Sequence, residues 1–220
     1  LEQVVVPSAA NVVVAHGNGL SSREVEALGR NQCGVATAPS TAENVWYGYP
    51  PIMGLLEAGA NVSISTDGSA PRFSFDIFKD IHRAMWHQWM IHGTQTVLPV
   101  GKALRMVTID AARVLGMSDE VGSLEPGKKA DVTLVNLDKP HLSPETFVPN
   151  LLAYYANGND VDTVMVDGVI LMEKREILSI DREKVMKLAR EEAENAFDRV
   201  DLEKYKEADH NFWHGIHYEE

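Results

Sequence analysis

The sequence predicts an α/β fold with a parallel sheet, followed by a smaller β portion and a helical tail. Short, nearly uninterrupted β-branched runs alternate with helical patterns in the first part of the chain. Such runs are typical of strands buried on both faces, and strands that alternate with helices pair in parallel through right-handed crossovers. After Gly116, alternating strands and a tight hairpin turn replace this pattern.

The first strand is predicted over residues 11–15 (NVVVA) and is expected to be buried on both faces. A helix follows from Ser21, because Ser21 and Glu24 have the spacing of a capping box. A second strand is predicted over 34–38. These three elements make one strand–helix–strand unit.

The third strand is predicted over 61–66, after a helix that Pro50-Pro51 opens and Gly59 ends. A long helix is expected over 74–92. Two shorter helices follow near 101–106 and 110–115, the second capped by Thr108.

The β portion contains an alternating strand over 131–137 and a hairpin whose strands, 161–166 and 169–172, flank Asp167-Gly168. Asp-Gly between β-branched residues is a strong hairpin signal. Asp181 caps the final helix. We expect three parts: residues 1–118, 119–180 and 181–220.

The composition excludes several classes of function. Twenty Lys and Arg against 32 Asp and Glu give a formal charge of -12, which opposes binding to nucleic acid or an anionic membrane. The sequence has no apolar run long enough for a membrane span, no visible secretory signal and a single cysteine, Cys33. We therefore expect a cytoplasmic protein.

His16 and Asp67 are the leading candidates for a functional site, because each directly follows a predicted parallel strand. In parallel α/β folds, ligands bind at the carboxyl ends of the strands. Two structural alternatives remain open. His16 could cap a helix or bond a backbone carbonyl, and Asp67 could cap the turn before Gly68.

Three histidines of the long helix, His82, His87 and His92, are five residues apart. At 100° per residue, successive rings point about 140° apart, so they cannot share one metal ion. We expect them at the surface or in an interface.

Several segments, in order, resemble the metal-dependent amidohydrolase superfamily, most closely its cytosine, guanine and S-adenosylhomocysteine deaminases and its triazine hydrolases. The resemblance runs from about residue 11 to about residue 190. The segments are 14–21 (VAHGNGLS), 38–41 (APST), 55–62 (LLEAGANV), 65–68 (STDG), 106–112 (MVTIDAA), 122–131 (GSLEPGKKAD) and 164–168 (VMVDG).

The resemblance implies that this chain supplies the last three strands of a (β/α)8 TIM-type barrel, part of a small β-sandwich and a C-terminal helix. His16 then matches the histidine that contacts substrate and assists proton transfer. Asp67 matches the aspartate that binds the metal, Zn²⁺ or Fe²⁺, and takes a proton from the attacking water. The implied reaction cleaves a C–N bond on a nitrogen heterocycle.

Trp46, Tyr47 and Arg72 are further candidates for substrate binding. The two aromatic residues follow the second strand and could stack on a planar heterocycle or simply pack against a neighbouring helix. Arg72 could orient an anionic substrate or pair with Asp76, and we favour the ion pair.

The sequence departs from the family pattern in its metal ligands. It contains no His-x-His, and no His-x-x-Glu before His16. One carboxylate cannot hold a catalytic metal, so most ligands are expected outside this chain. The deaminases usually have His-Asn-Pro or His-Cys-Pro where this chain has Thr37-Ala38-Pro39, and many have a second histidine at the position of Gly19.

Because the chain starts at Leu1, we expect a fragment or a second polypeptide whose N-terminal segment or companion chain supplies the other barrel strands. We further expect a homo-oligomer acting on a small heterocyclic substrate. The alternatives are a half-barrel that scaffolds or binds without metal, and a self-contained small α/β binding domain.

Overall fold

A computed structural model describes residues 12–45, 48–68 and 74–200. The chain divides into two compact units, residues 1–175 and 176–220. The predicted division into 1–118, 119–180 and 181–220 stays a prediction. Among the described residues, no helix combines the length and the apolar character that crossing a bilayer requires.

Three parallel strands form the first sheet, in the order β1-β2-β3. They are β1 (Val13–Ala15), β2 (Gly34–Thr37) and β3 (Asn61–Ile64). In the register, Ala15 lies opposite Ala36, and Ala36 lies opposite Ser63. The carboxyl ends of all three strands therefore meet at the same edge of the sheet, as the sequence predicts.

Three helices accompany these strands: α1 (Ser22–Arg30), α2 (Pro39–Val45) and α3 (Ile52–Glu57). The capping box at the start of α1 is confirmed, because Ser21 Oγ accepts from Glu24 N–H and Ser21 N–H donates to the Glu24 carboxylate. Helix α2 was not predicted. It starts at Pro39, whose fixed φ suits the first turn of a helix.

Burial differs between the central strand and the edge strand. Val35 of β2 is fully buried, whereas Val13 of β1 is 44% exposed. The prediction that the first strand is buried on both faces is therefore wrong for these residues. In the described part of the chain, β1 pairs only with β2, and a strand with one neighbour leaves a polar edge open.

Three further helices follow the sheet: α4 (Ile77–His92), α5 (Val100–Arg105) and α6 (Ile109–Val114). The buried core cluster combines side chains of the sheet with side chains of α1, α3, α4 and α5. Ile81 and Met85 of α4 pack with Val35 and Val62 of the sheet in one buried cluster. Thr108 precedes α6 but does not cap it, because its hydroxyl donates to the carbonyls of Leu104 and Arg105.

The remainder of the first unit contains an antiparallel sheet in which β5 pairs with both β4 and β6. Its strands are β4 (Val132–Val135), β5 (Val161–Val166) and β6 (Val169–Glu173). The predicted hairpin is confirmed: Asp167 and Gly168 have φ values of 49° and 79°, as a tight turn of this hand requires. A helix that was not predicted, α7 (Val148–Tyr154), lies between β4 and β5.

The second unit contains a two-residue strand, β7 (Glu176–Ile177), and the long helix α8 (Arg182–Val200). The predicted cap of this helix is confirmed, because Lys184 N–H donates to Asp181 Oδ1 over 3.0 Å.

Helix α2 is held against α4 by two acidic side chains. Buried Asp80 accepts from the backbone N–H of Ser40 over 2.8 Å, which fixes the start of α2. Glu43, one turn later, accepts from Arg83 Nε over 2.9 Å and lies 3.0 Å from His87 Nε2. These contacts fix the position of α2 relative to α4.

His87 is buried, contrary to the expectation of a surface or interface histidine. Burial lowers the pKa of His87, and the hydrogen bond to Glu43 offsets this only in part. Tyr49 stacks on the ring, and Arg83 and Asp80 lie close enough to act on its charge. The Nδ1 atom is buried without a hydrogen-bond partner in the described structure. The neutral imidazole is therefore the form that the fold favours.

We predict that His87 makes the fold less stable as the pH falls below about 6.5, the ordinary histidine value. The unfolded chain binds a proton there more readily than the folded chain, so the free energy of unfolding falls by at most about 1.4 kcal/mol per pH unit. Denaturant unfolding at several pH values between about 7 and 5.5 gives the free energy of unfolding at each pH. This free energy should change less steeply with pH for His87→Gln than for the unsubstituted protein.

His92→Gln, an exposed substitution on the same helix, controls for the loss of a histidine. His82 contributes in the same direction as His87, because burial also lowers its pKa. Comparing the two variants therefore isolates the contribution of His87 to the pH dependence of the free energy of unfolding. If the free energy of unfolding changes equally with pH for His87→Gln and the unsubstituted protein, His87 is not the group that makes the stability depend on pH.

Asp110 is a second buried acidic group, and it joins α5 to α6. It accepts from Lys102 Nζ over 2.6 Å, from Arg105 over 3.1 Å and from Arg113 over 2.6 Å. Burial opposes its ionisation, but the Lys102 hydrogen bond and the neighbouring cations outweigh burial and lower the pKa of Asp110.

We predict that Asp110→Ala destabilises the fold by about 1–3 kcal/mol, because three cationic side chains lose their shared acceptor. Denaturant unfolding at neutral pH measures this loss. Asp119→Ala, at an exposed position after α6, is the matched control and should change the stability by less than about 0.5 kcal/mol. Equal stabilities for the two variants would contradict the structural role of Asp110.

Candidate active site

His16 and Asp67 meet at the carboxyl edge of the parallel sheet. His16 directly follows β1, and Asp67 lies three residues beyond the end of β3. The His16 Nε2 atom lies 3.9 Å from Asp67 Oδ2. This separation is longer than a hydrogen bond but short enough for charge interaction. The side chains are 42% and 30% exposed, so both are accessible from solvent.

The backbone at both positions takes a left-handed conformation. The φ angle is 67° at His16 and 60° at Asp67, values that non-glycine residues rarely adopt. His16 N–H still donates to Ala36 O over 2.8 Å, so the turn begins while the chain is bound to β2. Gly17 follows with a φ of 70°, where a Cβ would lie 2.9 Å from Val35. Local strain of this kind clusters at functional sites.

Asp67 uses its two carboxylate oxygens differently. Oδ1 accepts from Gly68 N–H over 2.6 Å, which is the turn-capping role left open by the sequence. Oδ2 faces His16. One oxygen therefore holds the side chain in place, and the other is directed toward the second candidate residue.

A cavity of about 380 Å³ adjoins His16. Its lining residues come from β1, the loop after β1, and α2: Val14, Ala15, His16, Gly17, Asn18, Leu20 and Thr41. Two polar atoms of this lining, Asn18 Oδ1 and Thr41 Oγ1, are buried without a hydrogen-bond partner in the described structure. Sequence reasoning missed both residues, because neither type nor spacing separates them from ordinary loop and helix residues.

Trp46, Tyr47 and Arg72 lie outside the described residues, so their predicted roles in substrate binding stay predictions. Asp76, the alternative partner of Arg72, has other contacts. Its side chain accepts from Phe78 N–H over 3.2 Å at the start of α4 and lies 3.7 Å from Lys79 Nζ.

Asp67 is suited to hold a metal ion only as one ligand among several. A carboxylate oxygen is a normal zinc ligand, and the partly exposed side chain of Asp67 lies beside His16. Within residues 12–45, 48–68 and 74–200, however, no group of three or more His, Cys, Asp or Glu side chains is arranged to hold a metal.

Several curated relatives of this chain are named as deaminases. It is 38% identical over 189 residues to the 5-methylthioadenosine/S-adenosylhomocysteine deaminase of Desulforudis audaxviator, covering 86% of this chain and 44% of the relative. The 5'-deoxyadenosine deaminase of Methanosarcina acetivorans is 38% identical over 190 residues, with 86% and 44% covered. The chain thus spans less than half the length of the curated relatives it matches.

Solved structures match the fold. An adenosine deaminase from Xanthomonas campestris with bound zinc superposes with a TM-score of 0.80 at 27% identity, covering 83% of this chain and 42% of that chain. Atrazine chlorohydrolase from Arthrobacter aurescens TC1, complexed with zinc, gives 0.74 at 24% identity, with 80% and 39% covered, and shows the fold alone.

The sequence model of the amidohydrolase family matches residues 1–171, a range that includes His16 and Asp67. The family match therefore covers the parallel strands, the candidate site and most of the β5–β6 hairpin. The chain belongs to the amidohydrolase family.

Proposed function

We propose that this chain is the C-terminal portion of a metal-dependent deaminase that replaces an amino group on an adenine-type heterocycle with oxygen from water. The observation that carries this proposal is the 3.9 Å approach of His16 Nε2 to Asp67 Oδ2 at the carboxyl edge of a parallel sheet. The relatives support the substrate class, since three of them are named as deaminases of adenine nucleosides.

We propose that the three parallel strands are the last three of a (β/α)8 barrel and that β4–β6 belong to a β-sandwich. Two observations support this assignment. Within the described residues, β1 and β3 each pair on one side only, which leaves the two outer edges open. Large apolar side chains of the antiparallel sheet are also exposed, among them Leu134, Val166 and Val169.

In the proposed reaction, a water molecule adds to the ring carbon that bears the amine, a C–O bond forms, the C–N bond breaks and ammonia leaves. Asp67 takes a proton from the water and transfers it toward the leaving amine. His16 contacts the heterocycle and polarises it by donating from its ring. Asp67 would help to hold the metal, which when bound would lower the pKa of the attacking water.

We predict that these 220 residues alone neither hold a stoichiometric metal nor release ammonia, because Asp67 cannot bind a catalytic metal without further ligands. Expression together with any coding sequence that precedes Leu1, or with the N-terminal part of the Desulforudis relative, should restore both. Metal content by mass spectrometry and ammonia release from adenosine and 5'-deoxyadenosine measure the outcome.

A complete assembly that holds no metal and releases no ammonia from these nucleosides would contradict the proposed reaction. That result would favour the alternative of a half-barrel that binds or scaffolds without chemistry.

We further predict that Asp67→Asn in the complete assembly lowers both metal content and kcat, the latter by at least about 1,000-fold, because metal binding and proton transfer depend on one carboxylate. His16→Asn should lower kcat by about 100-fold to 10,000-fold while the metal content stays unchanged.

Asp119→Asn, an exposed change outside the site, is the matched control and should leave both quantities unchanged. Full turnover by Asp67→Asn would exclude Asp67 from the chemistry.

A further inference from the structure

We infer that Asn18 and Thr41 are specificity-determining residues that hydrogen-bond the substrate inside the cavity beside His16. This inference rests on the proposed function, since it concerns the same site. It assigns to the cavity a ligand with one N–H or O–H donor and one ring-nitrogen acceptor, which are groups that an adenine nucleoside offers together.

The first observation is that the Thr41 hydroxyl is buried without a hydrogen-bond partner in the described structure. Thr41 is 3% exposed, and its Oγ1 atom has no hydrogen-bond partner in the described structure although it lines the cavity. A buried hydroxyl without a partner costs about 1–3 kcal/mol, so proteins rarely retain one without a use. A ligand in the cavity would satisfy it.

Helix α2 gives Thr41 a fixed position. The preceding residue, Ser40, donates its backbone N–H to buried Asp80, and Glu43 bonds Arg83 and approaches His87. Thr41 and Glu43 are two residues apart, which is about 200° around a helix. Glu43 therefore faces α4 while Thr41 faces the opposite side, toward the cavity.

Asn18 approaches the same cavity from the loop after β1, and its Oδ1 atom is also buried without a partner in the described structure. The flanking glycines, Gly17 and Gly19, have φ values of 70° and 65°. Glycine adopts this left-handed conformation without steric cost, so the loop can turn sharply on both sides of Asn18.

The two polar groups are complementary to a ligand with mixed polarity. The Asn18 carbonyl oxygen accepts from an N–H or O–H, and the Thr41 hydroxyl donates to a nitrogen. Val14 and Leu20 supply apolar surface in the same cavity, whose volume of about 380 Å³ is within the range of small-molecule sites. A site built to hydrogen-bond its substrate discriminates strongly against analogues that lack those groups.

The test uses the complete assembly and two nearly isosteric substitutions, Thr41→Val and Asn18→Leu. Each should lower kcat/KM for adenosine by about 10-fold to 100-fold, the fold-change that corresponds to a lost hydrogen bond in a buried site. Thermal unfolding without ligand should show a Tm no lower than that of the parent, because each substitution removes a buried polar group that has no partner.

Thr37→Val is the matched control for stability. Thr37 is as buried as Thr41, but its hydroxyl donates to Ser63 O over 2.8 Å. Replacing it should therefore lower the Tm. A Thr41→Val variant that loses stability like Thr37→Val and keeps its kcat/KM would show that the Thr41 hydroxyl is structural, and it would overturn the inference.

Binding separates this inference from the proposed reaction. Adenosine is titrated into Asp67→Asn assemblies with and without Thr41→Val or Asn18→Leu, and the inference expects each added substitution to raise Kd about 10-fold or more. A parent that binds adenosine with this dependence but releases no ammonia contradicts the reaction and supports the binding role. An unchanged Kd, or no adenosine binding at all, overturns the binding role.

Discussion

The parallel register of β1, β2 and β3 is the constraint on which the candidate site depends. Ala15, Ala36 and Ser63 lie in one row across the sheet, so the chain leaves all three strands at the same edge. This register brings His16 and Asp67, which are far apart in sequence, to the same edge, and the left-handed turns at both residues accompany a separation of 3.9 Å between His16 Nε2 and Asp67 Oδ2. A slip of one residue in either pairing would turn the following side chains to the other face.

Two polar groups at this edge have no partner among the described residues. Asp67 has one oxygen directed toward His16, and two polar atoms of the neighbouring cavity, on Asn18 and Thr41, have no partner in the described structure. Asp80 and Glu43 anchor helix α2 to α4 and so fix the position of Thr41. No group inside the cavity is needed to hold it there. A fixed scaffold around unsatisfied polar groups is the arrangement expected of a preorganised binding site.

Much of this arrangement could be predicted from sequence, and the misses have physical causes. The strand ends indicated His16 and Asp67, and the Asp167-Gly168 turn indicated the hairpin, because these signals are local. Helix α2 carries no apolar period of its own and is stabilised by side chains of α4, which sequence patterns do not reveal. The burial of His87 likewise depends on Glu43, a residue distant in sequence. The expected homo-oligomer and cytoplasmic location stay predictions.

The most direct test of the central claim is a crystal structure of the complete assembly with zinc and a non-hydrolysed adenosine analogue. The proposed function predicts a carboxylate oxygen of Asp67 about 2.0–2.2 Å from the metal and the His16 ring within hydrogen-bond distance of the heterocycle. A metal bound away from Asp67, or an analogue bound away from His16, would contradict it.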